Sequence, residues 1–372
     1  MSKRVAHIVL NDFVNDNRVL KECNSLIDAG YEVSVFALKT ERTQAHQRIG
    51  KIDVHRVKLW TEIMPSSWNP IKYLEFMFRM QRKLRGFDII QVNDFEPFPT
   101  AALHKMFRPS VKIVYDSHEY QSEKNGMGNF TRRLIRFLEP RLIKKAEAVI
   151  TVSQGIRQEY ERLYGLKDIE VIFNAPHRMS VKKRNLFRRR FNLADDTVIF
   201  LYQGKFHKGR GVEKVIEAFA KLEGEKVAVV FMGNGPLEDL VRESAKKYNT
   251  IFLHEAVPYE VILEHTASAD FGLLTTENIC LNHYYCMPNK LFEYIQAGLP
   301  VITTPLYDCK NMVDGLEIGF VLDEDSVDGY LGAIRKARTM PPGQFDKALK
   351  IAADHYHWAV EEQKLLGIYS RL

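Results

Sequence analysis

The feature that most constrains this chain is an alternation. Short apolar runs and amphipathic helical stretches follow one another from the first residues, and the series runs twice. Arg4–Leu10 reads as a buried strand. Val19, Leu20, Cys23, Leu26 and Ile27 then recur at helical spacing, Gly30 closes that helix, and Glu32–Leu38 is the next strand. A βαβ unit of this kind joins parallel strands. Further strands are predicted at Asp88–Val92, Lys112–Tyr115, Ala148–Val152 and Ile169–Phe173, with helical segments between them. The series then breaks. Asn174–His177 leads through Pro176 into the basic clusters Lys182–Arg184 and Arg188–Arg190, the polar, helix-breaking composition of a boundary. A second series follows. Its strands are Val198–Tyr202, Lys226–Met232, Thr250–His254, Asp270–Leu274 and Pro300–Thr303; its helices are Val212–Leu222, Leu237–Lys247, Lys290–Ala297 and Val327–Arg338.

Two such series predict two doubly wound α/β domains, over residues 1–175 and 176–355. The length of 372 residues suits that number. Sheets of this class bind ligands beyond the carboxyl ends of their strands, so the expected site is the cleft that two of them face across. With 45% hydrophobic and 27% charged residues the chain is neither disordered nor a disulfide scaffold. Cys23, Cys280, Cys286 and Cys309 form no CxxC pair and no zinc spacing, and read as reduced thiols of a cytoplasmic protein. The apolar N-terminal stretch stops at Asn11 without a small-residue cleavage site, which makes it a strand and not a signal peptide. No apolar run approaches the roughly 20 residues that span a bilayer. A formal charge of +6 does not by itself imply nucleic acid.

Three strand-end motifs of the second half carry the chemistry. Tyr202–Gly211 places Gly204, Gly209 and Gly211 among Lys205, Lys208 and Arg210, directly after a strand. Glycine lets the backbone approach a ligand and the cations favour an anion; the same composition also describes an ordinary solvated turn. Gly233-Asn234-Gly235-Pro236 is a second strand-to-helix turn, open to the same two readings. Pro288–Ile302 is more specific. Asn289 suits an N-cap, Gly298 a C-cap, and a strand resumes at Pro300. The helix tip would offer N–H groups to an anion. Glu293, four residues in, lies about 6 Å along the axis on the same face. A diphosphate at the tip and ribose hydroxyls at the carboxylate would match that separation.

Pro288–Ile302 together with the basic turn resembles the nucleotide-sugar half of GT-B glycosyltransferases, in particular the retaining family-4 (group 1) enzymes, and the resemblance covers nearly the whole chain. It implies that Gly204-Lys205 and Arg210-Gly211 bring two cations onto the donor diphosphate, and that Glu293 holds the ribose. It places Gly233, Asn234, Val257, Tyr285, Met287, Pro288, Asn289, Lys290 and Leu291 along the donor. Asn174 matches the interdomain segment, and the helix over about 356–372 matches one that packs back on the first domain. There is one departure. Members carry Glu-x7-Glu, but Tyr285 stands eight residues before Glu293. Glu277, the side chains of Asn282 and Tyr285, or the backbone of Cys286–Asn289 are the candidates to meet the sugar in its stead.

In the first half, Val114–Tyr120 ends a strand with His118, which by resemblance contacts the donor sugar from the acceptor side. Asp116 and Glu119 would orient it or bind acceptor hydroxyls. Asp94, Asp16 and Arg18 lie on two further polar loops and are acceptor-side candidates, although Asp16 and Arg18 also suit a helix cap. Arg79, Arg82, Lys83 and Arg85 follow Trp68, Tyr73, Phe76 and Phe78. Arg132, Arg133, Arg136, Arg141, Lys144 and Lys145 alternate with Leu134, Ile135, Phe137, Leu138 and Leu142. Each pattern fits either a core-facing helix with a solvated basic face, or docking on an anionic membrane that carries a lipid-linked acceptor.

The expected reaction is transfer from a UDP- or GDP-sugar, itself a substrate, to a hydroxyl of a saccharide or lipid-linked saccharide in surface polysaccharide or glycolipid assembly. His118, Lys205 and Arg210 are the catalytic candidates. No Asp-x-Asp motif ends one of these predicted strands, so no metal or other cofactor is expected. A 2-epimerase of the same fold is the alternative reaction, and a basic nucleic-acid-binding protein a distant one.

Overall fold

The computed structural model describes residues 2–63, 69–179 and 181–372. Trp68, read above with the first basic helix, lies outside the described residues. The first series builds β1 (Arg4–Ile8), β2 (Glu32–Leu38), β3 (His46–Ile49), β4 (Ile52–Val57), β5 (Ile89–Asn93), β6 (Lys112–Ser117), β7 (Ala148–Thr151) and β8 (Ile169–Val171). They form one sheet in the order β3-β4-β2-β1-β5-β6-β7-β8, parallel except for the β3–β4 pair. The second series builds β9 (Val198–Lys205), β10 (Val227–Asn234), β11 (Ile251–His254), β12 (Phe271–Leu274), β13 (Val301–Thr303) and β14 (Gly319–Val321), a fully parallel sheet in the order β11-β10-β9-β12-β13-β14. In both, the order reverses beside the first strand of the series, the switch point at which doubly wound sheets bind ligands.

The strands that the sequence does not predict have physical reasons for their silence. In β4 the inward alternation Ile52, Val54 ends in Arg56, a buried cation that donates to the carbonyl of Asp12 at 2.7 Å. It breaks the apolar period. β14 has three residues, and its Gly319 is needed because a Cβ there would stand 1.8 Å from the Val301 carbonyl oxygen.

The chain divides into two units, Met1–Ile172 with Glu362–Leu372, and Phe173–Glu361. The helix Trp358–Ser370 therefore starts in the second unit and ends in the first. Its start is tied where Trp358 N–H donates to the Pro176 carbonyl (2.8 Å) and Glu361 accepts from Phe173 N–H (2.9 Å). Its end is tied where the Tyr369 hydroxyl donates to Gln91 on β5 (2.6 Å). The second unit's core packs Phe200, Val229 and Phe231 of β9 and β10 against Val215 and Phe219 of the helix Val212–Ala220, and Ile334 of the helix Val327–Arg338. Each such side chain contributes about 1.5–3 kcal/mol by leaving water, and this core holds the strand ends described next.

Candidate active site

In the second unit, β9 and β10 end side by side, Gly204 opposite Gly233 and Lys205 opposite Asn234. A Cβ on Gly233 would stand 1.9 Å from the Gly204 carbonyl oxygen, and one on Gly235 2.5 Å from that of Phe206, so only glycine permits this approach. The basic turn after β9 is fixed through its backbone. The Tyr202 hydroxyl lies 3.1 Å from the Lys205 carbonyl and 3.2 Å from that of Arg210. The Thr275 hydroxyl donates to the Arg210 carbonyl at 2.5 Å, and Glu277 N–H donates to that of Gly209 at 3.0 Å. The turn is rigid while its cations project: Lys205 is exposed and Arg210 half-buried, its Nη1 3.4 Å from the Thr276 hydroxyl.

The helix Asn289–Gln296 turns Leu291, Phe292, Tyr294 and Ile295 into the core. That leaves Lys290 and Glu293 for the strand-end face. Lys290 Nζ sits 5.1 Å above the Tyr202 ring. Burial, then the Arg210 charge, push its ammonium down to about 8. Two cations held close enough for one to depress the other favour an arriving anion, which relieves their repulsion. Four residues in, Glu293 is 9% exposed and accepts a hydrogen bond from the Gln203 amide. Gln203 is itself held by the Thr266 hydroxyl, which donates to it at 2.7 Å.

In the first unit, His118 Nε2 is 2.9 Å from Asp116 Oδ2. Asp116 is fully buried and also receives Arg18 Nε and Nη2 at 2.9 and 2.8 Å. Arg18 further reaches Glu22 (3.1 Å) and the Ile172 carbonyl (2.8 Å), and Gln91 links Glu22 (2.7 Å) to Tyr369. Asp94, left-handed at φ 72°, accepts from the backbone N–H of His118 at 3.0 Å. Burial alone would lower the His118 imidazole, but Asp116 and Asp94 outweigh it and raise it to about 9. Among the described residues no group of three or more His, Cys, Asp or Glu side chains is placed to hold a metal ion.

Two family models match in succession: Glycosyltransferase Family 4 over residues 17–175, and Glycosyl transferases group 1 over residues 183–355. The chain belongs to the family-4, group 1 glycosyltransferases. Among solved structures, this glycosyltransferase is similar to a sucrose-phosphate synthase from Thermosynechococcus elongatus, with TM-score 0.80 and 16% identity over 99% of this chain and 98% of that one. It is also similar to HepE from Anabaena in complex with UDP-glucose, with TM-score 0.73 and 14% identity over 99% and 100%. At such identities the likeness is one of fold, the GT-B fold. N-acetyl-alpha-D-glucosaminyl L-malate synthase of Bacillus anthracis is 23% identical over 252 residues, 65% of this chain and 63% of the relative. The match thus spans less than two thirds of that curated relative's length.

Within the glycosyltransferase, the second sheet's strand ends gather Gly204, Lys205, Arg210, Gly233, Asn234, Lys290 and Glu293. Val257 is half-buried on the loop after β11. Met287 is buried, and Tyr285 packs edge-on against Tyr284 and Tyr307, with ring centroids 5.0 and 5.6 Å away. Several expectations need correction. Asn289 is not the N-cap: Pro288 holds the extended pre-helical conformation and Asn289 is already helical. Leu291 is fully buried in the core, which leaves only its backbone for the donor role. Glu277 is ion-paired with Lys214 at 3.5 Å, and Lys214 also pairs with Asp325 at 2.9 Å. Arg18 and Asp116 are buried ion-pair partners, so neither offers its charge to an acceptor. Asp16 caps the helix Asn17–Asp28 by accepting from Val19 N–H at 3.2 Å. Glu119 remains at the surface, paired with Lys124 at 3.4 Å.

Three buried polar side chains, Gln203, Glu22 and Gln91, escaped sequence reasoning, because only their tertiary partners distinguish them. One prediction follows from His118. Its pKa is raised above the ordinary 6.5, so its contribution to stability is full below 6.5 and lost as pH rises through about 9. Thermal melts across that window should fall more steeply for the wild type than for His118→Gln, and parallel curves would refute the raised value.

Proposed function

We propose that this glycosyltransferase moves a sugar from a nucleoside-diphosphate sugar to a hydroxyl of a saccharide or lipid-linked saccharide, with retention and without a metal. The observation that carries this reading is Lys290 beside Arg210, with Glu293 three residues beyond Lys290 on its helix. Diphosphate oxygens would be held by Lys205, Arg210 and Lys290, and the ribose diol by Glu293, which Gln203 keeps in place. A UDP-sugar is the favoured donor, supported by the UDP-glucose in the similar HepE structure.

As the bond from the sugar's anomeric carbon to the diphosphate breaks, positive charge grows on the sugar and negative charge on the leaving oxygen. The three cations would stabilise that oxygen as its charge develops. The acceptor oxygen bonds to the anomeric carbon from the same face, and its proton passes to the departing phosphate oxygen. His118, kept protonated by Asp116, is assigned a hydrogen bond to the transferred sugar.

Thermal shift with UDP, GDP, ADP and their common sugars tests the reading. UDP or GDP should raise the melting temperature with the logarithm of ligand excess. Glu293→Ala should weaken that ligand by about 10- to 100-fold, the worth of hydrogen bonds to a charged group. A wild-type protein that no nucleoside diphosphate stabilises would end the proposal.

The acceptor is proposed to be presented at the inner face of an anionic membrane. On the helix Asn129–Leu142, Ile135 and Glu139 turn inward, where Glu139 accepts from the hydroxyls of Tyr115, Tyr160 and Tyr164 at 2.7–2.8 Å. Phe130, Leu134 and Phe137 then share the outward face at 76%, 43% and 56% exposure, beside Arg133, Arg141, Lys144 and Lys145. Apolar rings flanked by cations suit an anionic headgroup layer. Among the described residues no helix is long and apolar enough to cross a membrane. The protein should sediment with phosphatidylglycerol vesicles and not with neutral ones, and Phe130→Ser/Phe137→Ser should abolish this. Absence of sedimentation at low salt would rule it out.

A further inference from the structure

Cys286 and Cys309 are distant in sequence and meet in the fold. Cys286 follows the short helix Leu281–Tyr284 and is half-buried; Cys309 lies in the first turn of the helix Tyr307–Leu316 and is buried. The Cys309 thiol donates to the Cys286 carbonyl oxygen at 3.4 Å, which brings the two residues together, and each thiol shifts the ionisation of the other. The charged groups acting on Cys286 are Arg210, Lys290 and Asp308, two cations against one carboxylate. The neighbouring Cys309 thiol lowers the Cys286 thiol, burial opposes this, and the two cations lower it further. Cys309 is pushed up by its neighbour Cys286 and by burial. One sulfur of the pair is therefore the nucleophile, and the other keeps its proton.

We infer that Cys286 and Cys309 form a thiol–disulfide site at the diphosphate end of the donor pocket, reactive toward small-molecule disulfides. The Cys286 thiolate attacks one sulfur of the small disulfide; that S–S bond breaks, a mixed disulfide forms, and one thiolate leaves. Cys309 passes its proton to the leaving thiolate. Its sulfur then attacks the Cys286 sulfur and expels the second thiolate, which takes a proton from water. Counted from the Cys286 thiolate, the protein loses two electrons and the Cys309 proton, water supplies the second proton, and the small disulfide becomes two thiols. The closed bond ties the chain entering the helix Asn289–Gln296 to the helix Tyr307–Leu316. A bound nucleoside diphosphate would occupy Arg210 and Lys290, withdraw their support from the thiolate and slow the reaction; this step and the placement at a diphosphate end rest on the donor reading above, while the thiol pair itself does not.

The test is incubation of the full chain with glutathione disulfide, blocking of remaining thiols with N-ethylmaleimide, and mass spectrometry of unreduced peptides. A Cys286–Cys309 cross-link should form about tenfold faster than modification of the half-buried Cys280. Cys309→Ser should stop at a glutathione adduct on Cys286, and Cys286→Ser should leave Cys309 unmodified, both variants being checked to melt as the wild type does. Modification of Cys280 as fast as Cys286, or no cross-link in the wild type, would overturn the site. UDP or GDP should slow the cross-link. If nucleotide raises the melting temperature yet gives no protection, the placement at the diphosphate end is wrong. If no nucleotide raises the melting temperature, the donor reading has failed, and the cross-link still decides the thiol pair.

Discussion

Arg210→Ala should lower kcat by about 10²- to 10³-fold with little change in KM, the usual effect of removing one preorganised group that meets charge developing in the transition state. The substitution should leave the turn intact. Arg210 is held mainly through its carbonyl, by the Thr275 and Tyr202 hydroxyls, and its side chain adds only a long contact of 3.4 Å to the Thr276 hydroxyl. Its guanidinium also presses on Lys290, so its removal should let the Lys290 ammonium rise from about 8 toward its ordinary value. Part of the lost charge is thereby recovered, and Arg210→Ala should be less damaging than Arg210→Ala/Lys290→Ala together. Arg210→Lys keeps the charge but not the planar fork and should fall between. The readout is single-turnover release of nucleoside diphosphate from whichever donor gives the largest thermal shift. An unchanged kcat in Arg210→Ala would remove this residue from the catalytic machinery.

Arg18→Met should destabilise the first unit by about 3–5 kcal/mol, the cost of leaving a buried charge without its partner. Arg18 is 4% exposed and Asp116 0%, and the two make a bidentate pair. Without Arg18, Asp116 keeps only His118 among these cations, and the carboxylate must be buried poorly matched or take up a proton. Burial and Asp116 already push Glu22 up to about 8, so a further unmatched charge in the same cluster is poorly tolerated. Arg18→Met/Asp116→Asn should recover part of the loss, because both ends of the pair are then neutral. The measurement is the urea midpoint of the first unit together with hydrogen-exchange protection of β1, β5 and β6. A loss below about 1 kcal/mol, the range of an exposed pair, would show that the network is not load-sharing.

The strand–helix alternation was legible because it is local. Each βα unit buries one face of its helix on a sheet buried on both sides, and that leaves period and run length in the residue order. β2 and the helix Val327–Arg338 are found at the predicted residues for this reason. The strand-end clustering was legible for a related reason: Lys205, Arg210, Lys290 and Glu293 lie on short segments whose spacing already places them near strand ends. The buried polar partners were not. Asp116 and Arg18 are 98 residues apart, and Gln203 and Glu293 are 90 apart; no periodic signal connects them. A charged residue in a polar loop also reads as solvated until its partner is known, which is why Arg18 was read as an acceptor-side or capping residue, and Asp116 as orienting His118 or binding acceptor hydroxyls.

From sequence alone came the two-domain α/β plan, the strand-end phosphate signals and the glutamate four residues into its helix, because all of these follow from neighbours within a few turns of chain. The tertiary structure alone decided that Arg18 and Asp116 form an internal pair beneath His118, that Gln203 holds Glu293, and that two thiols meet beside Arg210 and Lys290. Those relations depend on parallel strands and helices brought together by crossovers, and the charge of a side chain is worth something quite different once water has been replaced by a specific partner.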